Sequence, residues 1–204
     1  MDNNENVIDP KDFSMDKILQ IEDAIFYKCV GLKADTKYLY ESFTKRLDTL
    51  SREERRDLRR CIQIASKLNH PSILKFFGYN IKKFQLGIFY EYTSENTLNK
   101  AIEPEKDKNV HFESNWNDTK ILINLYGIAS GMSYLHKHNI MHRDLTPENI
   151  SLDKNNYPKI YNFHISKEIT ANSKKDIKIK GTAQYLAPEI ITSLEYSEKS
   201  DVYA

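Results

Sequence analysis

Cysteine is nearly missing: Cys29 and Cys61 are the only two in 204 residues. That is too few for a disulfide framework or a cysteine zinc site. Two reduced thiols, and with them a cytoplasmic location, are expected. No apolar run reaches the ~18 residues that a membrane-spanning helix needs, so no membrane insertion is expected. The first eleven residues are polar and rich in Asn, without the apolar core of a signal peptide. An excess of one charge is also lacking, with 30 Lys and Arg against 29 Asp and Glu, so nothing points to nucleic acid or an anionic membrane surface. There is no internal repeat. What remains is a chain long enough to bury a real core in one or two compact units.

The pattern along the chain starts with a polar stretch over residues 1–12, expected to be a solvated tail. Short strands are predicted at 18–22, 25–32 and 38–47. Ser51-Arg52-Glu53-Glu54 reads as a capping box, and Leu58, Cys61, Ile62, Ala65 and Leu68 recur at helical spacing behind it. Arg52, Arg55, Arg56, Arg59 and Arg60 of that helix read as a solvated face. Two more strands are predicted at 74–79 and 86–92, then a polar insert over 103–114. Asn117 or Asp118 caps a long helix whose apolar face would be Ile121, Leu122, Leu125, Ile128, Ala129, Met132 and Leu135. His136 and His138 are expected at the surface.

Three later stretches carry chemistry. His142-Arg143-Asp144-Leu145-Thr146-Pro147-Glu148-Asn149 reads H-R-D-L-x-x-x-N. Tyr161-Asn162-Phe163-His164 follows, and then Gly181-Thr182-Ala183-Gln184-Tyr185-Leu186-Ala187-Pro188-Glu189, which ends in A-P-E. In this order and spacing they resemble the catalytic loop, the D-F-G turn and the end of the activation segment of the eukaryotic protein kinase domain family. Gly181-Thr182-x-x-Tyr185 is similar to the serine/threonine type, and Trp116 and the loop style resemble its tyrosine-kinase-like group.

The resemblance implies a fold and a set of roles. The fold is α+β and two-lobed, with a small, mostly β N-lobe carrying one helix (the family's αC) and a mainly α C-lobe. Residues 1–12 would be the tail, 13–92 the N-lobe, and 93–204 the hinge and a partial C-lobe. A complete domain of this kind needs roughly 250 residues. The chain is therefore expected to be C-terminally truncated at the start of the family's αF helix, where Asp201 would anchor the catalytic loop from below. Asp144 would orient a substrate hydroxyl, Lys45, in Ser42-Phe43-Thr44-Lys45 on the third strand, would hold the nucleotide phosphates, and Asn149 and Asn162 would face the metal. The backbone around Glu91, Tyr92 and Thr93 would hold adenine, with Tyr90 as gatekeeper. Arg143 would receive a regulatory phosphate, with Thr182, Ser166, Thr170 and Ser173 as candidate hydroxyls. ATP and magnesium are the implied cofactors, and a protein substrate or protein partner the implied binder.

Several parts of that machinery are replaced. Glu22-Asp23-Ala24-Ile25-Phe26-Tyr27 stands where the family has G-x-G-x-x-G. Phe43 replaces a small Ala and is expected either to plug the adenine slot or to turn into the core. Counting back from His70, Cys61 stands where a Glu pairs with the lysine, and Glu54 is about 10 Å away along the helix. Thr146 replaces a common Lys, Ser151 an apolar residue, His164 a Gly, and Asn162 the aspartate that binds magnesium, a cation that favours carboxylate oxygen. The expectation is a pseudokinase, a binding or regulatory module with weak or no phosphotransfer. The alternative is a weakly active serine/threonine kinase, so enzyme status stays open.

Overall fold

The computed structural model describes residues 7–21, 24–32, 36–94, 96–102, 116–169 and 179–204. Glu22 and Asp23 of the first turn, the insert expected at 103–114, Thr170 and Ser173 lie outside the described residues. The chain divides into two compact units, Met1–Asn69 with Leu74–Thr93, and His70–Ile73 with Ser94–Ala204.

The first unit is an antiparallel sheet with one helix. Its strands are β1 (Phe13–Ile21), β2 (Ala24–Gly31), β3 (Lys37–Phe43), β4 (Phe76–Lys82) and β5 (Gln85–Glu91), in the order β1-β2-β3-β5-β4. Between β3 and β4 runs α1 (Arg52–Ala65), opened by the expected capping box: Glu54 N donates to Ser51 Oγ at 3.2 Å and Ser51 N to Glu54 Oε2 at 2.8 Å. Cys61, Ile64 and Ala65 are its buried side.

Two expectations are corrected here. The third strand stops at Phe43, four residues before the expected end, because Arg46 and Asp48 close a turn (Nη2 to Oδ2 2.6 Å) and Leu47 N turns to Phe84 O at 2.7 Å. Residues 7–12 also differ from the solvated stretch expected there. Val7 bridges Tyr79, Ile8 N donates to Tyr79 O at 3.0 Å, and Asp9 caps a short 3-10 turn, Pro10–Asp12. Ile8, Phe13 and Met15 pack on the buried cluster of Cys29, Tyr40 and Phe89. Aromatic rings dominate that face: Tyr40 and Phe89 lie 4.6 Å apart, and Phe13 meets Tyr38 edge-on at 5.5 Å. Tyr40 lies over Gly87, where any side chain would collide with its ring, and its hydroxyl donates to Asn80 Oδ1 at 3.3 Å. Burial pushes the Cys29 thiol up to about 12, with Asp16 adding to it.

The second unit is built on helices. It contains α2 (Leu98–Ile102), α3 (Asp118–Lys137), short strands β6 (Ile140–Met141), β7 (Ile150–Leu152), β8 (Pro158–Ile160) and β9 (Lys167–Glu168), then α4 (Pro188–Ser193) and α5 (Glu198–Tyr203). β6 pairs with β9 and β7 with β8. Asn117 caps α3 as expected, accepting from Lys120 N at 2.9 Å.

The packed side of α3 keeps Met132 and Leu135 of the expected stripe and departs from the rest. Asn124, Gly127, Gly131, Met132 and Leu135 are buried, because the helix must approach β8 and Ser72 closely. A Cβ at Gly131 would come within 2.8 Å of Ile160 Cδ1 and 3.2 Å of Ser72 O. Ile121, Leu122 and Leu125 are exposed instead. Leu125, Ile128, Ala129 and Met132 line a groove of about 780 Å³ whose far wall includes Val202 of α5.

Candidate functional site

In the second unit the H-R-D segment leaves β6 and is fixed from α5. Asp201 is 4% exposed. Its Oδ2 accepts from His142 N at 2.8 Å and its Oδ1 from Arg143 N at 2.7 Å. It also meets His136 Nε2 at 3.0 Å. Asp201 thus takes the anchoring place expected of it. His136 does not stand free at the surface: its side chain is 17% exposed and paired with that carboxylate.

His142 is fully buried. Its Nδ1 accepts from Asp144 N at 3.3 Å, so its Nε2 is the donor to Tyr161 O at 2.9 Å. One ring therefore ties the H-R-D loop to the residue before Asn162. Ser166, one of the candidate hydroxyls, is fully buried and donates to His142 O at 3.0 Å. Arg143 takes a left-handed φ of 72°. Its guanidinium lies 3.9 Å from the Tyr196 ring centre and donates to Ile165 O at 3.3 Å. With 6% of its surface exposed, it serves here as a packed strut.

Around Asp144 the side chains form a continuous chain of hydrogen bonds. Asp144 Oδ1 accepts from Thr182 N at 2.9 Å and Thr182 Oγ1 at 2.8 Å. Asn149 Nδ2 donates to Asp144 Oδ2 and to Asp144 O, both at 2.8 Å. Asn149 Oδ1 in turn accepts from Asn162 Nδ2 at 2.9 Å. Asn162 sits at φ 66°, a left-handed conformation that Asn tolerates better than most side chains. Asp144, Asn149, Asn162 and Thr182 are thus brought together. Thr146, a neutral side chain, is 3% exposed.

This donor set does not fit magnesium. The ion takes hard oxygen ligands and is held in such sites through carboxylates. Here Asn162 offers a neutral amide, and the Asn149 oxygen already accepts from it. Among the described residues no group of three or more His, Cys, Asp or Glu side chains could hold a metal.

The remaining expected residues lie in the first unit. Lys45 is exposed and falls two residues beyond β3, so its expected position within the third strand is corrected. The charged side chain buried in β3 is Glu41, 4% exposed, which no motif spacing flagged. Phe43 is buried. Burial pushes the Cys61 thiol well above its ordinary value, and Glu41 beside it adds to that rise. Glu91 N donates to Lys75 O at 2.8 Å and Glu91 Oε1 accepts from Lys75 N at 2.9 Å. Lys28 Nζ lies 5.6 Å from the Tyr92 ring centre. Thr93 is buried, and Tyr90, 2% exposed, meets Phe76 edge-on.

Comparison with known proteins gives a consistent answer. The family model described as protein kinase domain matches residues 24–204. An Aurora kinase of Eremothecium gossypii is 35% identical over 149 residues, 73% of this chain and 38% of that protein. An Arabidopsis thaliana protein named as a probable LRR receptor-like serine/threonine-protein kinase is 34% identical over 164 residues, 78% of this chain and 16% of its own length. The cysteine-rich receptor-like protein kinase 45 of the same plant is 35% identical over 169 residues, 80% of this chain and 47% of that protein. The chain therefore spans less than half the length of these relatives.

Proposed function

Because the chain belongs to the protein kinase domain family, we propose that it acts as a pseudokinase, a module that binds or regulates a protein partner with weak or no phosphotransfer. The observation that carries this reading is the amide chain from Asn162 through Asn149 to Asp144. Phosphoryl transfer depends on positioning and on neutralising phosphate charge. An amide donating into the Asn149 oxygen satisfies the atom that would face a cation, and Asn162 adds no negative charge to attract one. Thr146 removes a further positive charge from the loop.

A second reading is a weakly active serine/threonine kinase, favoured by Asp144. Its carboxylate is held by Thr182 and Asn149 and keeps an oxygen lone pair for a substrate hydroxyl. In either reading Thr182 positions Asp144, and a phosphate on that hydroxyl would set a second anion against the carboxylate. No helix among the described residues is long and apolar enough to cross a membrane.

Thermal melting with ATP, with and without magnesium, followed by a phosphotransfer assay, separates the two. A ligand at 100 times its dissociation constant adds ~2.7 kcal/mol, about 5–11 °C for a domain of this size. The pseudokinase reading expects no magnesium-dependent shift and no labelled product. Product formed by the wild-type chain and lost in Asp144→Asn would overturn it. Asn162→Asp is expected to introduce a magnesium-dependent shift, by restoring a carboxylate beside the Asn149 oxygen.

A further inference from the structure

Arginine is unevenly spread along this chain. Seven of its basic residues are Arg, and five of those, Arg52, Arg55, Arg56, Arg59 and Arg60, lie within nine consecutive positions of α1. The other basic residues are Lys, and α1 contains none. The two arginines elsewhere have local partners: Arg46 pairs with Asp48, and Arg143 packs on Tyr196. Within α1, Arg60 pairs with Asp57 (Nη2 to Oδ1 2.9 Å). Arg52, Arg55, Arg56 and Arg59 are exposed, and no side-chain hydrogen bond or ion pair engages them among the described residues. With about 3.6 residues per turn these four fall within about 100° of the helix, opposite the buried Cys61, Ile64 and Ala65. Glu54 is held in the capping box and Asp57 by Arg60, so neither neutralises the stripe. Like charges three and four apart on a helix repel, and cations in the first turn oppose the helix dipole. The stripe therefore works against its own helix, a conflict that solubility, supplied elsewhere by scattered Lys, does not require.

We propose that this stripe is a docking surface for a carboxylate-rich segment of a protein partner. A guanidinium presents a planar fork of N–H donors that matches both oxygens of a carboxylate, which an ammonium does not. Arg52 and Arg59 stand about 10 Å apart along the helix axis, the length of about three extended residues. Alternate side chains of an extended segment repeat at about 6.6 Å, close to the rise of about 6 Å from Arg52 to Arg56 or from Arg55 to Arg59. An Asp or Glu at every second position would therefore meet successive arginines. Nucleic acid fits less well. One short stripe covers few phosphates, and a net charge of +1 gives no long-range pull on a polyanion. The inference rests on the reading of the chain as a protein-binding module and names the chemistry of what that module takes.

The test is fluorescence anisotropy of a labelled peptide of about ten residues with Glu at alternate positions, titrated with the full chain at low and at physiological salt. A peptide with Gln in place of Glu is the control. Two triple variants are compared with wild type: Arg52→Gln with Arg56→Gln and Arg59→Gln, and the same three positions changed to Lys. Melting curves confirm that each folds; if the Gln variant does not, the Lys variant decides alone. Wild type is expected to bind the Glu peptide and not the control. The Gln variant should lose about tenfold in affinity, about 1.4 kcal/mol, and the Lys variant, which keeps the charge and loses the forks, about threefold. No binding by wild type, or an affinity unmoved in either variant, would overturn the proposal. So would tighter binding to a single-stranded RNA of equal length or to phosphatidylserine vesicles. Phosphotransfer is read on the same wild-type sample. Product there would sink the pseudokinase reading and leave the docking surface standing, whereas an unmoved peptide affinity sinks the docking surface alone.

Discussion

Replacing Asp201 by Ala should loosen the whole catalytic loop. The carboxylate is 4% exposed and takes the backbone N–H groups of His142 and Arg143 at 2.8 and 2.7 Å. Without it two amides lose their acceptor in a dry setting, at about 1–3 kcal/mol each, and His136 loses its partner. The sum is about 3–5 kcal/mol, the range seen when a buried charged partner is removed. For a domain of this size that is a fall of about 6–20 °C in Tm. Asp201→Asn should cost less, because one oxygen remains to accept. Differential scanning calorimetry gives the totals, and hydrogen exchange gives the location: the His142 and Arg143 amides should lose protection before those of the β-sheet. A Tm for Asp201→Ala within about 2 °C of wild type, or exchange that rises evenly over the chain, would refute the reasoning.

Other perturbations follow from local geometry. The His70 ring, with Nδ1 accepting from Ser72 N at 3.1 Å and Tyr134 stacked 5.0 Å away, has its pKa lowered by burial and by Lys159. The unfolded chain then binds the proton more readily than the folded one, so stability present above about 6.5 should be lost as pH falls through that value toward the folded pKa. Melting temperatures across pH 5–8 should show this loss, and His70→Gln should reduce it. Lys83 and Phe84 form the two-residue turn of the β4–β5 hairpin with φ of 49° and 65°, a geometry that favours Asn-Gly. The double change Lys83→Asn with Phe84→Gly should raise stability by about 1 kcal/mol in urea unfolding. The gain is trimmed by loss of the Arg46 contact with the Phe84 ring.

Much of this architecture was legible because it is local. The capping box at Ser51 and the cap at Asn117 are written within four residues, and H-R-D-L-x-x-x-N places Asp144 and Asn149 on one loop by spacing alone. What escaped depends on distant partners. His136 meets Asp201 across 65 positions, which no periodicity records. Glu41 was passed over because alternation tells which residues of a strand share a face and not which face is buried, and a Glu is rarely fully buried. The Lys83–Phe84 turn carries neither Gly nor Asn. On α3, helical spacing gave an apolar stripe of which Met132 and Leu135 are buried, while the close approach of Ser72 and Ile160 to Gly131 turned Ile121, Leu122 and Leu125 outward.

The left-handed backbone at Asn162 also bears on how this chain could change over generations. Asn and Asp both accept that conformation, and their codons differ by a single purine exchange at the first base. One point substitution would therefore place a carboxylate at 162 without asking the backbone there to move. The neutral amide lies a short mutational step from a carboxylate, so codon distance does not keep it in place. Its persistence along a lineage would register selection on the altered chemistry itself.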